Sequence, residues 1–274
     1  MSRLARQSFL GAQSNAVLDG ATVGFIGLGG GGSHHVQQLA HLGLGGFVLV
    51  DPDTIDLGNT NRLMGGTLAD VKATRPKVEI ATRTIRGINP AARIKALKSD
   101  WRLVLDDLKE CDVLMGAVDS FGARDELEKF ARRFLIPYVD VGMDVMELPD
   151  GQFLIGGQVI LSLPDGPCLR CCHFVTDERL RCEAERYGAA GGRPQVVWPN
   201  GVLASTAVGI VVELLTPWHR STSNFIYMQY DGNRRTVSPT PWMEDLKQRT
   251  CPHFPATERG EPAFDARHLS AASS

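Results

Sequence analysis

The sequence lacks the features that would mark a membrane protein or a polycationic nucleic-acid binder. No apolar run approaches the roughly 20 residues that a membrane-spanning helix needs, and the first residues lack the apolar centre of a signal peptide. Charge of one sign is also missing: 29 Lys and Arg stand against 31 Asp and Glu, for a net charge of -2. This balance argues against bulk nucleic-acid binding. We therefore expect a cytoplasmic protein that contacts no membrane.

Cysteine is sparse and unevenly placed. Six cysteines in 274 residues do not form the disulfide framework of a small secreted domain, and a chain of this length buries an ample core without cross-links. In a reducing compartment, metal binding or catalysis explains clustered thiols better.

Short apolar segments alternate with helical ones through the first half of the chain. Strands are predicted at "ATVGFIG", "GFVLVD", "CDVLMGAVD" and "IPYVDVGMDV". This alternation predicts a Rossmann-like, doubly wound α/β fold with a mostly parallel sheet covered on both faces. After Leu148 the rhythm changes to an antiparallel C-terminal extension, with a hairpin that turns near Asp231-Gly232.

A glycine-rich turn follows the first strand and opens a helix, "SHHVQQLAHLG", predicted to begin on its serine. Gly27, Gly29 and Gly32 fit the spacing G-x-G-x-x-G, and Asp51 ends the next strand. The glycines let the backbone approach phosphates, the helix N-terminus supplies free N–H groups, and the acid can bind ribose hydroxyls. On its own this pattern favours a dinucleotide-dependent oxidoreductase.

Polar and cationic residues after Asp51 favour ATP instead. Asn59 and Arg62 follow in "DPDTIDLGNTNR", and Lys77 lies in "RPKVE". Hydride transfer has no need of such groups, whereas cleavage of an α–β phosphate bond does, because they neutralise charge on the leaving pyrophosphate. Asp119 ends a further buried strand at the carboxyl edge of the sheet, where a carboxylate suits Mg²⁺.

The motifs "GLGGGGS", "DPDTIDLGNTNR", "RPKVE", "INP" and "AVDSFGAR" recur in this order in the ThiF/MoeB/HesA group, which the sequence resembles along nearly its whole length. These proteins are prokaryotic relatives of ubiquitin-activating enzymes. The resemblance implies ATP- and Mg²⁺-dependent adenylation of the C-terminal glycine of a ubiquitin-like or sulfur-carrier protein ending in Gly-Gly. It implies an adenylation domain at 20–256 with a crossover loop at about 173–195. By their composition, residues 1–19 are predicted to form a helical arm and the polar residues 257–274 a flexible tail. A conjugating enzyme or a sulfurtransferase would act next.

The resemblance also implies roles for single residues. Asp51 would bind the ribose and Asp119 the magnesium, and Arg6 in "RLAR" matches an arginine that the family inserts into the partner subunit's ATP site. Arg6 therefore implies a homodimer with two composite sites. The spacing before Lys77 is longer than usual, which makes Lys72 its rival, and Gly31 replaces a common apolar residue. The residues expected at the nucleotide are Gly27, Gly29, Gly30, Gly32, Asp51, Asp53, Asn59, Arg62, Lys77 and Asp119.

The cysteines predict two further sites. Cys168 and Cys171 form a C-x-x-C pair able to hold one structural zinc ion. In the family a second such pair follows near the C-terminus, but here Phe254 stands where the fourth thiolate belongs. The alternative is a site that has lost its metal, whose thiols pack as small hydrophobes. The expected zinc ligands are Cys168, Cys171, Cys251 and His253, with Cys172 as the rival fourth ligand.

Cys182 lies in "RCEAERYGAAGGRP", a polar, glycine-rich stretch predicted to be a mobile loop. Some family members carry in this crossover loop a cysteine that takes the activated acyl group, since a thiolate readily attacks an acyl-adenylate. The nearby Arg179, Arg181 and Arg186 would favour the thiolate. The alternative is an incidental loop cysteine.

Three other functions stay open from the sequence. The same fold adenylates a tRNA or small-peptide carboxylate in some relatives. A non-catalytic, dimeric nucleotide-binding scaffold is the second, and an NAD-dependent dehydrogenase is the third.

Overall fold

The structure is a computed structural model that describes residues 3–185, 194–219, 225–248, 250–254 and 260. Its strands are β1 (Thr22–Ile26), β2 (Gly46–Val50), β3 (Arg93–Leu97), β4 (Val113–Gly116), β5 (Tyr138–Glu147), β6 (Phe153–Ser162), β7 (Ile226–Asp231) and β8 (Thr236–Pro239). The described strands form one eight-stranded sheet in the order β3-β2-β1-β4-β5-β6-β7-β8. Neighbours from β3 to β5 run parallel, and β6, β7 and β8 are each antiparallel to the strand before them.

Helices cover both faces of this sheet. They are α1 (Ser14–Gly20), α2 (Gly30–Leu42), α3 (Leu68–Lys72), α4 (Lys77–Ile88), α5 (Leu105–Leu108), α6 (Phe121–Arg133), α7 (Asp177–Glu185), α8 (Val197–Leu215) and α9 (Met243–Lys247). Short 3₁₀ helices span Ala5–Leu10, Leu57–Asn59 and Trp101–Leu103. The 3₁₀ helix at Ala5–Leu10 and helix α1 lie in the segment predicted as the N-terminal helical arm, and the division into domains stays a prediction.

Each central strand is buried on both faces because its side chains alternate between two cores. In β1, Phe25 belongs to a core cluster that includes residues of α2, α4 and α8, whereas Ile26 belongs to a second cluster that includes residues of α5, α6 and α9. Such burial explains why the strand is apolar throughout rather than alternating. The predicted doubly wound α/β fold and its antiparallel extension are confirmed, and the hairpin turns after Asp231 as expected.

Three predicted elements differ in detail. Helix α2 begins at Gly30, three residues before the serine, so the glycine turn itself forms its first turn. The sequence "DVKATRPKVEIATRTIRGINP" is predicted to be helical, with Pro76 near the start of its main run and Asn89-Pro90 as its stop. It forms two helices, α3 and α4, because the chain turns at Thr74 (φ 46°) and Pro76 then caps α4. Proline makes the helical conformation unfavourable for the residue before it, here Arg75, which explains the break between the two helices.

The third difference lies in the predicted crossover loop. Residues 177–185 of this segment form helix α7 rather than a loop, and residues 186–193 lie outside the described part of the chain. The predicted tail at 257–274 also falls outside it, Gly260 excepted.

Helix α8 is 19 residues long with a mean hydropathy of 1.4, so by length and composition it meets the minimum for a membrane span. Half of that stretch is buried against the sheet and its neighbouring helices. The core helix of a folded domain meets the same criterion, and this apolar run is longer than the sequence analysis allowed.

Candidate functional site

A cleft opens at the carboxyl ends of β1 and β4, where the strand order reverses. Ligands of open α/β sheets bind at such switch points. The structure brings most of the predicted nucleotide residues to this cleft. Those that line it are Gly27, Gly29, Gly30, Asp53, Asn59, Arg62, Lys77 and Asp119.

The glycine turn is shaped by close backbone contacts. Gly27 adopts φ 86°, and a Cβ there would lie 2.5 Å from the carbonyl oxygen of Ala117. A Cβ on Gly32 would lie only 1.9 Å from the carbonyl oxygen of Gly27. A Cβ on Gly29 would meet no described atom within 4 Å, because this residue faces the open cleft. Gly27 and Gly32 thus form the turn, and Gly29 borders the space for a ligand.

Helix α8 covers the turn from above. A Cβ on Gly30 would lie 2.5 Å from Nδ2 of Asn200, a buried residue that also lines the cleft. Just before α8, Gln195 lines the cleft and its Nε2 lies 3.4 Å from Oδ1 of Asp119. Sequence reasoning missed both residues, because they come more than 160 positions after the turn and belong to no motif quoted above.

Asp51 supports the turn from below. Its carboxylate accepts the backbone N–H groups of Leu28 (2.7 Å) and Asp53 (2.9 Å) and is almost fully buried. Burial raises the pKa of Asp51, although Lys77 and the two N–H groups oppose the rise. The carboxylate therefore holds the glycine turn against the end of β2, and its contact with a ribose stays a prediction.

Lys77, rather than Lys72, points into the cleft. Lys77 is the first residue of α4, and its Nζ lies 2.7 Å from Oδ2 of Asp53 and 3.8 Å from Oδ1 of Asp51. Lys72 ends α3 and is exposed on the outside of the domain. The longer spacing noted in the sequence is absorbed by α3, whose Asp70 receives salt bridges from two arginines.

The loop after β2 is held in shape by its own hydrogen bonds. Asn59 and Asp56 form reciprocal backbone–side-chain hydrogen bonds around the 3₁₀ turn at Leu57–Asn59. Arg62 donates to the carbonyl oxygen of Gly58 (2.6 Å) and to Oδ1 of Asn61 (3.0 Å). This arrangement holds an amide and a guanidinium on the same wall of the cleft.

A second guanidinium faces the cleft from α6. Arg124 Nη1 lies 2.6 Å from both carboxylate oxygens of the fully buried Asp140, and Nη2 donates to the carbonyl oxygen of Val118. It therefore holds the segment just after β4 at the residue before Asp119, which is exposed. Arg124 belongs to the quoted motif "AVDSFGAR", yet its role at the cleft could not be inferred without knowing that α6 turns back over β5.

Arg6 lies far from the cleft of its own chain. The N-terminal arm is attached to the C-terminal end of α2, where Arg3 and Gln7 donate to carbonyl oxygens of the last turn. The glycine turn lies at the other end of this 13-residue helix, about 20 Å away at 1.5 Å per residue. Arg6 is exposed on the arm and does not line the cleft.

The predicted metal ligands come together elsewhere, on the side of α6. Ligand atoms of Cys168, Cys171, Cys251 and His253 all lie within 4.8 Å of one another. The two Sγ atoms of the C-x-x-C pair are 3.6 Å apart, and each is 3.4 Å from Nδ1 of His253. Tetrahedral Zn–S bonds place sulfur atoms about 3.8 Å apart, so the cluster fits zinc.

Cys172, the rival fourth ligand, and Phe254 make other contacts. Cys172 donates its thiol to the carbonyl oxygen of Cys168, and burial raises its pKa. Phe254 occupies the place of the usual fourth thiolate, where its buried ring lies under the guanidinium of Arg132. Of the two predicted candidates for the fourth ligand, His253 lies with the three cysteines in the cluster, and its role as a ligand stays a prediction.

Cys182 is half-buried on helix α7. The expected support from arginines is not seen at Arg179, whose guanidinium lies over the rings of Phe121 and Phe174 and donates to the carbonyl oxygen of Phe174. Arg181 pairs loosely with Glu185 at 4.0 Å, and Arg186 lies outside the described residues.

Known proteins share this sequence and this fold. The chain is 31% identical over 164 residues to the SAMP-activating enzyme E1 of Haloferax volcanii, covering 59% of this chain and 57% of that protein. It is 28% identical over 152 residues to the sulfur carrier protein ThiS adenylyltransferase of Escherichia coli, covering 53% and 55%. The matches thus span little more than half of these relatives.

A solved structure of E. coli MccB with ATP has the same fold. Its TM-score is 0.70 at 19% identity, with 87% of this chain and 71% of that chain covered. The family comparison extends further, because the ThiF family matches residues 1–253. The glycine turn, the polar cleft and this match lead to one conclusion: the chain belongs to the ThiF family.

Proposed function

We propose that this protein uses ATP to adenylate the C-terminal glycine of a ubiquitin-like or sulfur-carrier protein ending in Gly-Gly. The observation that carries the proposal is the gathering of one amide, three cations and a carboxylate around the glycine turn. These groups are Asn59, Arg62, Lys77, Arg124 and Asp119. Relatives named as adenylyltransferases support the same chemistry.

The cleft suits attack of a carboxylate on the α-phosphorus of ATP. The glycine turn and the N-terminus of α2 would hold phosphate oxygens, and Lys77 and Arg62 would neutralise the charge on the departing pyrophosphate. Positioning and charge neutralisation supply most of the catalysis in phosphoryl and nucleotidyl transfer. When bound, Mg²⁺ would draw electron density from the phosphate oxygens. Asp119, an exposed carboxylate at the mouth of the cleft, is the residue that fits it.

We further propose that Cys168, Cys171, Cys251 and His253 hold a structural zinc ion. The mutual spacing of their ligand atoms supports this, since it leaves room for one tetrahedral ion. A zinc at this position would join the segment after β6 to the C-terminal segment.

We propose that the protein acts as a homodimer in which Arg6 enters the cleft of the partner subunit. The support is geometric: the arm places Arg6 about 20 Å from its own glycine turn, at the far end of α2. A phosphate that Arg6 contacts would then belong to the cleft of the partner subunit.

The acyl group would pass from the adenylate to Cys182 as a thioester, or directly to a sulfur donor. Support for Cys182 comes from its half-exposed position on α7, the helix attached to the residues that follow Asp119. We place this activity in the cytoplasm, in keeping with free thiols throughout the chain.

The direct test is carrier-dependent exchange of labelled pyrophosphate into ATP. The probes are ubiquitin-fold proteins ending in Gly-Gly, each with and without the last glycine, and we expect exchange only with the complete tail. Asp119→Ala should abolish exchange, whereas Asp106→Ala, an exposed carboxylate away from the cleft, should not change it. Equal exchange by wild type and Asp119→Ala would remove Asp119 from the mechanism.

Two further measurements separate the alternatives. Exchange stimulated by tRNA instead of a Gly-Gly protein would favour the tRNA carboxylate as substrate. Binding of NADH without any exchange would favour an oxidoreductase.

A further inference from the structure

The loop between the first two cysteines of the metal cluster carries an arginine that joins two helices. Arg170 donates from Nε and Nη2 to the two carboxylate oxygens of Asp125 on α6, at 2.7 and 3.0 Å. Its Nη1 donates to Oδ1 of Asp177, the first residue of α7, at 2.9 Å. Asp125 is buried, so the first of these pairs is a fixed, bidentate contact. Arg170 thereby attaches the start of α7 to α6.

The other end of α7 is attached to α6 by a carboxylate. Glu183 accepts the backbone N–H groups of Phe121 (3.0 Å) and Gly122 (2.9 Å), which open α6 directly after Ser120. Cys182 is the neighbour of Glu183 on the same helix. The two attachments therefore determine where Cys182 lies relative to the edge of the cleft that carries Asp119.

Helix α7 depends on these contacts because it buries little. None of its residues is fully buried. Leu180 is partly buried and packs against the core cluster that includes residues of α6. A short helix without a buried face gains little from packing, and isolated helices of this length are marginal in water. Loss of one polar attachment should then be visible as a local opening of α7.

The position of Arg170 in turn depends on the cysteine–histidine cluster. It lies between Cys168 and Cys171, and the backbone N–H of Cys171 donates to Sγ of Cys168 at 3.4 Å. The preceding N–H, of Leu169, is held by the buried Glu128 of α6 at 3.1 and 3.0 Å. The tight turn at the cysteines thus sets the direction of the guanidinium.

We propose that Arg170 is a positioning residue that couples the cysteine–histidine cluster to α7 and so sets the presentation of Cys182 at the cleft. The inference rests on the proposed roles of the cluster and of Cys182. Arg170 does not line the nucleotide cleft, so it acts on acyl transfer and not on adenylation. In that step the Cys182 thiolate, its proton released to solvent, attacks the glycyl carbonyl carbon; the S–C bond forms, the C–O bond to the phosphate breaks, and AMP leaves.

The experiment uses the zinc-loaded full chain and three substitutions. Asp177→Asn weakens the ion pair between Arg170 and the exposed first residue of α7, and it also removes one of two acidic charges in the first turn of that helix. Arg170→Lys leaves both acids in place and keeps the charge but not the bidentate fork. Arg102→Gln is the matched control, because Arg102 pairs with Glu126 on α6 without touching α7. The readouts are amide hydrogen exchange of 177–185 and the alkylation rate of Cys182, both by mass spectrometry of peptides.

We expect both rates to rise about two- to fivefold in Asp177→Asn, the range for a largely exposed ion pair. In Arg170→Lys they should rise at least as much, because the bidentate contact with the buried Asp125 is lost as well. Removal of zinc should raise both rates in the wild type and add little in Arg170→Lys. Because Arg170 does not line the nucleotide cleft, pyrophosphate exchange should stay within about twofold of wild type, the low end of what one exposed ion pair produces, while thioester yield falls.

Unchanged exchange at α7 in both variants, or an equal rise in the Arg102→Gln control, would overturn the coupling. A wild type that forms no thioester, with α7 still loosened in the variants, would overturn the role of Cys182 and leave the positioning role of Arg170 supported. The α7 readouts need neither ATP nor carrier, so the two failures are distinguishable.

Discussion

A buried histidine beside the nucleotide turn makes the stability of this protein sensitive to acid. His35 lies in α2 with 1% of its surface exposed, and neither ring nitrogen has a hydrogen-bond partner in the described part of the chain. Its Cε1 would be 4.0 Å from a Cβ built on Gly31, so the ring fills space next to the turn. Burial lowers the pKa of His35 to about 3, and the neighbouring His34 contributes to the shift.

The sign and size of the effect follow from this lowered pKa. Above pH 6.5, the usual pKa of histidine, the residue is neutral in both the folded and unfolded states. As the pH falls below 6.5, His35 binds a proton in the unfolded chain but stays neutral in the folded chain. The free energy of unfolding therefore decreases as the pH falls, until about pH 3. At pH 5 the loss is about 2 kcal/mol, because each pKa unit corresponds to about 1.4 kcal/mol.

The assay is urea unfolding at about pH 7.5 and about pH 5 for three proteins. His35→Leu removes the titrating group. On going from the higher to the lower pH, we therefore expect the free energy of unfolding of the wild type to fall by about 2 kcal/mol more than that of His35→Leu. Val36→Ala, a core truncation in the same helix, should cost the same at both. Parallel pH dependence in wild type and His35→Leu would refute the reasoning.

Three other substitutions test the cleft, the dimer and the metal cluster. Gly32→Ala places a methyl group 1.9 Å from a carbonyl oxygen of the turn, so we expect ATP affinity, measured by calorimetry, to fall at least about tenfold, whereas Gly29→Ala should weaken binding less. In a 1:1 mixture of Arg6→Ala and Asn59→Ala proteins, re-formed dimers should recover about one quarter of the wild-type exchange rate; no recovery would contradict composite sites. His253→Ala should lower the bound zinc, measured by mass spectrometry, and the Tm; unchanged zinc would remove this residue from the ligands.

Sequence reasoning succeeded where the physical signal is local. The turn at Gly27 and Gly32 could be predicted because Gly27 adopts a positive φ and a Cβ on Gly32 would lie 1.9 Å from the carbonyl oxygen of Gly27, both local requirements. The strands could be predicted because burial on both faces requires apolar residues throughout. Helix α7 was not predicted, because its polar, exposed sequence has no buried face and hence no apolar periodicity.

Residues brought together from distant segments were beyond the sequence. Asn200 covers the glycine turn from a helix about 170 positions later, and Arg170 reaches α6 and α7 through contacts that no motif records. Such pairs depend on how α6 and α8 cross the sheet, which is a property of packing between elements.

The amino-acid sequence by itself determined the α/β fold, the glycine turn and the chemical kind of the groups near it, because these follow from periodicity and short-range steric contacts. The tertiary structure alone decided that Lys77 and not Lys72 faces the cleft, that His253 and not Cys172 lies with the three cysteines of the cluster, and that Arg6 lies at the end of α2 away from the glycine turn. Each of these is a distance between segments far apart in the chain, and only the packed core sets such distances.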